Sequence, residues 1–481
     1  MVQQDFSEMI NGVWRIKWWK FRYVLVAALL VNVFLINHFF FEQSLSDLNP
    51  FGSASTDENV VSSPPDSSPS SSSKDTPSKE PPSNGIVVAP PKSSSSFNLN
   101  DYDFNGEYVG WPLERVCKET KWTDGLAYVC DNNSGGIGNI RNFILTCIRY
   151  AIDAGATGIV MPRIQRRSEE DLANIFTTGF QPFSYFFDEA HFRKAMGDNC
   201  PQITIFDKYE AIPGGSRIRK IEDFYPKDLG DLDGCDGRGF RGKFDKWLST
   251  TNRTPSDAAP VTIRFKWATF FEWPIYRDGP EFAATFGDIL RINPDIEKIA
   301  AGVLREMSKF TGNEPQANKL NTPYLGVHLR TESDALGFWP DFNVQSEGYL
   351  KEAEGRQLKH AYLACGNATD GHRFAEKAKE KMGLQVTSKL DLLQGDELKT
   401  LTDLSWDQQA LVDFLVLTKS THFTGCSFSS FTMNIAFKRH LMTGGINSRP
   451  WKSPGDDFTT LVGRFDSWYG DWMFMYECMW P

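Results

Sequence analysis

The sequence predicts an α/β protein of two parallel-sheet lobes, carried behind one transmembrane helix and an unstructured stem. Three observations predict it. A charge-free apolar run lies near the N-terminus, a Ser/Pro-rich stretch follows, and from about residue 100 apolar strands alternate with helix-spaced segments in two separate series. A chain of 481 residues has room for roughly two to four globular units. A hydrophobic content of 41% excludes a wholly disordered chain and a polytopic membrane protein. The net charge of −10 argues against a general nucleic-acid binder, which needs a basic face. Eight cysteines are too few for a disulfide scaffold.

The run Tyr23 to Phe41 contains no Lys, Arg, Asp or Glu. As a helix it would span roughly 28 Å, about one hydrocarbon core. Arg15, Lys17, Lys20 and Arg22 precede it, whereas Glu42 and Asp47 follow it. The positive-inside bias therefore assigns residues 1–22 to a cytosolic tail and everything after the anchor to the lumen. No small-residue cleavage site follows closely, which favours an uncleaved signal anchor. Residues 42–99 are Ser/Pro-rich and carry too little apolar surface to offset ordering entropy, so they are expected to form a disordered stem. Anchor, stem and large domain together describe a single-pass type II protein of the Golgi or ER membrane. All eight cysteines lie beyond the anchor without CxxC or zinc spacing, so some are expected to pair as disulfides. The sequons at Asn132, Asn252 and Asn367 lie on the same side; Asn132 adjoins a Gly-rich loop and is expected to carry no glycan.

The first α/β series runs from a strand at 126–130 (LAYVC) through a Gly-rich turn to a helix at 139–154 and a strand ended by Pro162. Ile140, Phe143, Ile144, Cys147, Ile148 and Ala151 form the helix's apolar face, with Arg141, Asn142, Arg149 and Asp153 on the other, and Gly155 suits the stop. The second series places strands at 324–330, 359–366, 384–388 and 421–426, with helices at 372–383, 408–420 and from 427 onward. Two βα series predict two Rossmann-like lobes facing a cleft, one over 100–315 and one over 316–481. The segment 200–300 reads as irregular.

Three motifs sit where strands meet helices. Gly135-Gly136-Ile137-Gly138-Asn139 lets a backbone approach a ligand beside free helix N–H groups, and Asn139 is suited to cap that helix or to bond a sugar or phosphate. His328-Leu329-Arg330 ends an apolar strand, and an arginine fork there suits a pyrophosphate; a structural arginine paired with Glu332 or Asp334 is the alternative. Ser429-Ser430-Phe431-Thr432 clusters hydroxyls at a helix start, as a cap or as a phosphate cradle. Asp413 lies inside the apolar run ALVDFLVL and is suited to accept from a nucleobase or ribose. DLDGCDG at 231–237 is acidic but lacks an EF-hand ending and reads as a loop, so no metal site is expected.

In combination these motifs resemble the GDP-fucose protein O-fucosyltransferase family, over roughly residues 125–165 and 322–440. The resemblance implies a GT-B fold with an acceptor-side N-terminal lobe and a donor-nucleotide C-terminal lobe. It implies substrate contacts from Gly136, Gly138, Asn139, His328, Arg330, Asp413, Ser429, Ser430, Phe431 and Thr432, with Arg330 neutralising the β-phosphate as the catalytic residue. Some members carry a glutamate base in the Gly-rich loop; Gly135-Gly136-Ile137 contains none. The expected activity is inverting, metal-independent transfer of fucose from GDP-fucose to a secretory-pathway protein or glycan, with no separate cofactor. A transferase of another deoxysugar nucleotide, or a non-catalytic sugar-binding protein that kept the fold, are the alternatives. Trp468, Tyr469, Trp472, Phe474, Tyr476 and Trp480 crowd the last fourteen residues; they are expected to form core, as a helix packed back on the N-terminal half, with a sugar-stacking platform as the alternative.

Overall fold

Both five-stranded sheets among the described residues are all-parallel, as apolar strands joined by helices dictate. The computed structural model describes residues 102–168, 170–172, 174, 179–213, 222–224, 239–265, 273–313, 323–334, 339–427, 429–443, 457–463 and 478–481. They all fall within one unit, Pro90–Pro481. The anchor at 23–41, the stem, the loop at 231–237 and the aromatic residues 468–476 lie outside the described residues. Among the described residues no helix is long and apolar enough to cross a membrane.

The first sheet contains β1 (Thr123–Val129), β2 (Ala156–Val160), β5 (Thr204–Phe206), β6 (Glu222–Phe224) and β7 (Val261–Phe265), in the order β5-β2-β1-β7-β6. Between β2 and β5 a small antiparallel pair, β3 (Ile164–Gln165) and β4 (Phe180–Gln181), stands apart from the sheet. The second sheet contains β8 (Leu325–His328), β9 (His360–Ala364), β10 (Gln385–Thr387), β11 (His422–Cys426) and β12 (Thr459–Val462), in the order β10-β9-β8-β11-β12. Counted from β8 this is the doubly wound order, in which the chain reverses direction across the sheet between β8 and β11. In the first sheet the same reversal falls between β1 and β7.

The helices that frame the sheets and position the site are α1 (Trp111–Glu119), α2 (Ile137–Ala154), α3 (Glu189–Asn199), α4 (Pro294–Phe310), α5 (Phe342–Gly355), α6 (Ala368–Met382), α7 (Trp406–Thr418) and α8 (Ser430–Thr443). Helix α2 ends at Gly155, whose φ of 72° is left-handed and whose N–H caps the carbonyls of Ala151 and Ile152. A Cβ there would fall 2.1 Å from the Lys121 carbonyl oxygen, so only glycine turns this corner. Helix α7 begins with a capping box, Ser405 with Gln408. Disulfides Cys117–Cys200 and Cys130–Cys147 tie α1 to the end of α3 and β1 to α2. Cys478 is also disulfide-bonded, whereas Cys365 and Cys426 are thiols. Of the sequon asparagines, Asn252 is exposed, Asn132 is half-buried, and Asn367 caps α6 with its side chain.

Helix α2 departs from the amphipathic pattern its spacing suggests. Arg141, Asn142 and Arg149 do lie off the apolar face, but that face is buried as well. Arg149 makes a two-pronged bond to Asp278, at 2.7 Å to each carboxylate oxygen. Arg141 donates to the carbonyls of Trp480 (2.7 Å), Pro481 (2.6 Å) and Gly287 (2.9 Å). Asn142 accepts from the Trp480 N–H at 2.8 Å, and the Trp480 indole N–H donates to Thr146 at 3.2 Å. Residues 478–481 thus pack on a helix of the first half, with Trp480 fully buried and edge-on to both Phe282 and Phe286. One apolar cluster runs through both halves, joining Ile140, Phe143, Val303, Leu411, Val416 and Trp480.

This arrangement makes Arg141 a keystone of the join. Arg141→Ala strands three buried carbonyls and is expected to cost about 3 kcal/mol or more in chemical denaturation. Deleting residues 479–481 removes two of these three partners, the carbonyls of Trp480 and Pro481, so the combined variant should be less destabilised than the sum of the two changes. Simple additivity would show that Arg141 and the chain end act independently.

Candidate functional site

In open α/β sheets the crevice for a ligand lies beyond the carboxyl ends of the strands where the chain reverses. Here that position in the first sheet is the end of β1, which leads into the Gly-rich loop. In the second it is the end of β8, carrying His328 and Arg330, and the end of β11, carrying the Ser/Phe cluster. The structure brings these three motifs together.

The loop is held by Asn133, whose amide donates to the Arg163 carbonyl at 2.7 Å and accepts from the Gln165 N–H at 3.0 Å. Gly135 has a left-handed φ of +87°, which favours glycine, and lies against the Asn139 side-chain amide. The N-cap of α2 is Gly136, with no side-chain cap. Asn139 therefore sits inside the first turn and does not cap the helix. Gly138 is the tightest point: a Cβ there would meet the Ser430 carbonyl carbon at 2.6 Å and the Phe431 nitrogen at 2.8 Å. The first turns of α2 and α8 touch backbone to backbone. Each helix start leaves N–H groups without intrahelical partners and carries the positive end of a dipole.

At α8, Ser429 acts partly as the cap, its hydroxyl 3.4 Å from the Thr432 N–H. The helix begins at Ser430, three residues later than the expected opening at 427. Thr432 is buried and pairs through its hydroxyl with His328 Nδ1 at 2.7 Å. The Phe431 ring lies 4.7 Å from the His328 ring and 5.8 Å from that of Phe414. Burial pushes the His328 pKa down to about 4; the nearby Glu332 opposes this and Arg330 adds to it, so the ring is neutral at pH 7.

Strand β8 ends at His328, so Arg330 stands just past it rather than within it. Its backbone is clamped from α5: the Arg330 N–H donates to the Gln345 side chain at 2.9 Å, and that amide returns a bond to the Arg330 carbonyl at 2.8 Å. The Tyr349 hydroxyl donates to the His328 carbonyl at 2.9 Å. The guanidinium pairs with both acids that the sequence offered, Glu332 through Nη1 and Asp334 through Nη2 at 2.8 Å. Burial alone would lower the Arg330 pKa, but the two carboxylates outweigh it and raise it. Glu332 is itself fixed by the Gly366 N–H at 2.7 Å.

Asp413 makes its contacts elsewhere. Its carboxylate accepts from the Tyr362 hydroxyl and from Lys389, each at 2.6 Å, while its neighbour Phe414 faces the Phe431 ring. Gly136, Asn139, Arg330, Ser430 and Phe431 are half-buried, whereas Gly138, His328, Ser429 and Thr432 are buried. Sequence reasoning missed Arg167, which reaches across from the first half to Asp334. It also missed Asp131, held between Arg163 and Arg264 at 3.0 and 3.1 Å. Among the described residues no group of His, Cys, Asp and Glu has the makings of a metal site.

The neutral state of His328 gives a pH test. The unfolded chain binds a proton near pH 6.5 and the folded ring near 4. The associated stability is complete above pH 6.5 and is lost as pH falls toward 4. His328→Gln should therefore lose less stability than the parent between pH 7 and pH 5, by on the order of 1–2 kcal/mol. Parallel pH profiles for the two proteins would contradict a buried neutral histidine.

Comparison with known proteins agrees with the motifs. The sequence profile described as GDP-fucose protein O-fucosyltransferase matches residues 126–442. Among solved structures, POFUT1 in complex with GDP-fucose is 14% identical, with a TM-score of 0.44, covering 71% of this chain and 100% of its own. The fucosyltransferase NodZ from Bradyrhizobium is 14% identical, with a TM-score of 0.36, covering 67% and 92%. A mutant of Arabidopsis thaliana FUT1 in complex with GDP is 10% identical, with a TM-score of 0.34, covering 68% and 71%. No curated protein matches. A profile match over about two thirds of the sequence, spanning all three motifs, establishes that this chain is a glycosyltransferase and belongs to the GDP-fucose protein O-fucosyltransferase family.

Proposed function

We propose that the protein transfers fucose from GDP-fucose to a hydroxyl of a protein or glycan, with inversion and without a metal ion. The observation that carries this reading is the meeting of two helix starts, α2 and α8, at Gly138 and Ser430, with Arg330 linked to the cap of α2 through Asp334 and Arg167. Two positive dipole ends brought together favour an anion between them. The donor diphosphate is that anion. In the reaction an acceptor oxygen attacks the anomeric carbon from the face opposite the phosphate. The bond from that carbon to the β-phosphate oxygen breaks, and its electron pair leaves with GDP. The charge arriving on the phosphate is what Arg330 and the helix starts stabilise, and the contact strengthens as the bond lengthens.

The acceptor proton needs a destination, and the loop 135–137 supplies no carboxylate. Glu332 and Asp334 are engaged by Arg330, and Asp131 is engaged by Arg163 and Arg264. Leaving-group stabilisation therefore carries most of the catalysis, and the acceptor proton passes to solvent water. Asn139, Ser430 and Phe431, at the half-buried rim, are assigned to the nucleotide sugar; His328 and Thr432 hold Phe431 in place from below. Asp413 keeps its proposed role toward the nucleotide only if the donor draws it from Lys389 and Tyr362. The two disulfides fit an oxidising lumen, which supports a type II orientation in the Golgi or ER with the enzyme domain inside. Protease added to intact vesicles should leave residues 43–481 protected, and digestion of the large domain from outside would overturn that orientation.

Arg330 tests the chemistry. Arg330→Lys keeps the charge but loses the fork, so it should be nearly as damaging as Arg330→Ala, each lowering kcat by about 10²–10³. A smaller change is expected in donor affinity. If Arg330 only satisfies Glu332 and Asp334, both variants should melt earlier yet keep near-normal specific activity. Transfer should also persist in excess EDTA; a strict need for Mn²⁺ or Mg²⁺ would contradict the metal-free mechanism.

A further inference from the structure

Asp334 is held by two arginines that come from different halves of the chain. Arg330 approaches from the end of β8 at 2.8 Å, and Arg167 approaches through Nη2 from the segment after β3. All three side chains are nearly buried, at 13% for Arg330, 13% for Asp334 and 7% for Arg167. The Arg167 guanidinium is itself positioned, with Nε bonded to the Leu172 carbonyl at 2.9 Å and its plane 5.4 Å from the Trp406 ring. Its Nη1 lies 3.9 Å from where a side chain on Gly136 would begin, at the cap of α2.

We propose that Arg167 is a second arm of the diphosphate site and that the Asp334 carboxylate is a place-holder that the donor phosphates displace. This rests on the donor reading and adds to it a residue from the first half. Charge and shape both support it. Two buried guanidiniums converging on one point would repel strongly without an anion between them. A carboxylate is the protein's nearest equivalent of a phosphate edge, since both accept from an arginine fork in the same plane. With Asp334 in place the four groups Arg167, Arg330, Glu332 and Asp334 balance to zero. A diphosphate added to that set would face two carboxylates. Moving Asp334 aside returns two cations to the ligand and leaves Glu332, anchored on Gly366, to orient Arg330. The donor would then be gripped from both halves, which couples its binding to their closure.

The alternative is an ordinary salt bridge between the halves, and the sign of one mutation separates the two. GDP binding to the full chain is measured by calorimetry for the parent and for Arg167→Ala, Arg167→Lys, Asp334→Asn and Arg330→Ala. The proposal expects Arg167→Ala to weaken GDP about tenfold or more, with Arg167→Lys in between. It expects Asp334→Asn to tighten GDP several-fold, because the competing charge is gone. A normally melting Asp334→Asn with unchanged or weaker GDP affinity overturns the place-holder. If Asp334→Asn does not fold, Arg167→Lys decides: parental affinity in a folded protein overturns the proposal. A parent that binds GDP and keeps its affinity in a folded Arg167→Ala refutes the Arg167 arm and leaves the donor reading standing. A parent that binds no GDP refutes the donor reading and, with it, this extension.

Discussion

Gly138 has no room for a side chain, and the organisation of the site depends on that. Its α-carbon lies against the Ser430 carbonyl, so α2 and α8 meet at their first turns. Helix starts are the least satisfied parts of any helix and the most positive, and bringing two together is unfavourable unless something negative is shared between them. The approach is enforced from behind. Arg141, one turn further along α2, holds the chain end, and the Asn434 side chain returns to Ser430 at 2.8 Å. The stability of the join and the positive character of the site are therefore two consequences of the same packing.

Arg330 shows why structural and functional roles need not compete. Its backbone is locked by Gln345, its fork by Glu332 and Asp334, and its ring of partners reaches into α5 and the turn at Gly366. A guanidinium held this firmly loses little freedom when a phosphate arrives, which is what preorganised electrostatic stabilisation requires. Neutral His328 and Thr432 add no charge of their own to the site.

Much of this is legible in the sequence, for identifiable reasons. Strands β1, β8, β9 and β11 are apolar runs ended by Gly, Cys or a basic residue, and the pattern locates each within about three residues of its true limits. The three motifs can be assigned to strand ends because each joins such a run to a helix. The join between distant motifs, His328 with Thr432, comes from β8 and β11 being neighbours in a doubly wound sheet. Strand β7 is lost in a segment that reads as irregular. Its Arg264 interrupts the apolar pattern, and only its pairing with Asp131 across the sheet explains the charge. Helix α4 escapes the alternation of strands and helices although Asn293-Pro294-Asp295 is a legible start signal. The polar side of α2 cannot be read correctly at all, because periodicity separates two faces without saying whether the second meets water or buried carbonyls. Arg167 lies in a basic run followed at once by Glu169, Glu170 and Asp171, yet its acid in the fold, Asp334, comes from the other half, which local sequence does not indicate.

On the proposed reading, the diphosphate, and not the base, is what the two helix starts and Arg330 hold. The most direct measurement is the affinity of the full-length protein for GDP set against its affinity for guanosine. The account predicts that GDP binds at least about a hundredfold more tightly, a gap of roughly 2.7 kcal/mol or more, and that raising the salt concentration narrows the gap. Equal affinity for the two ligands would contradict it.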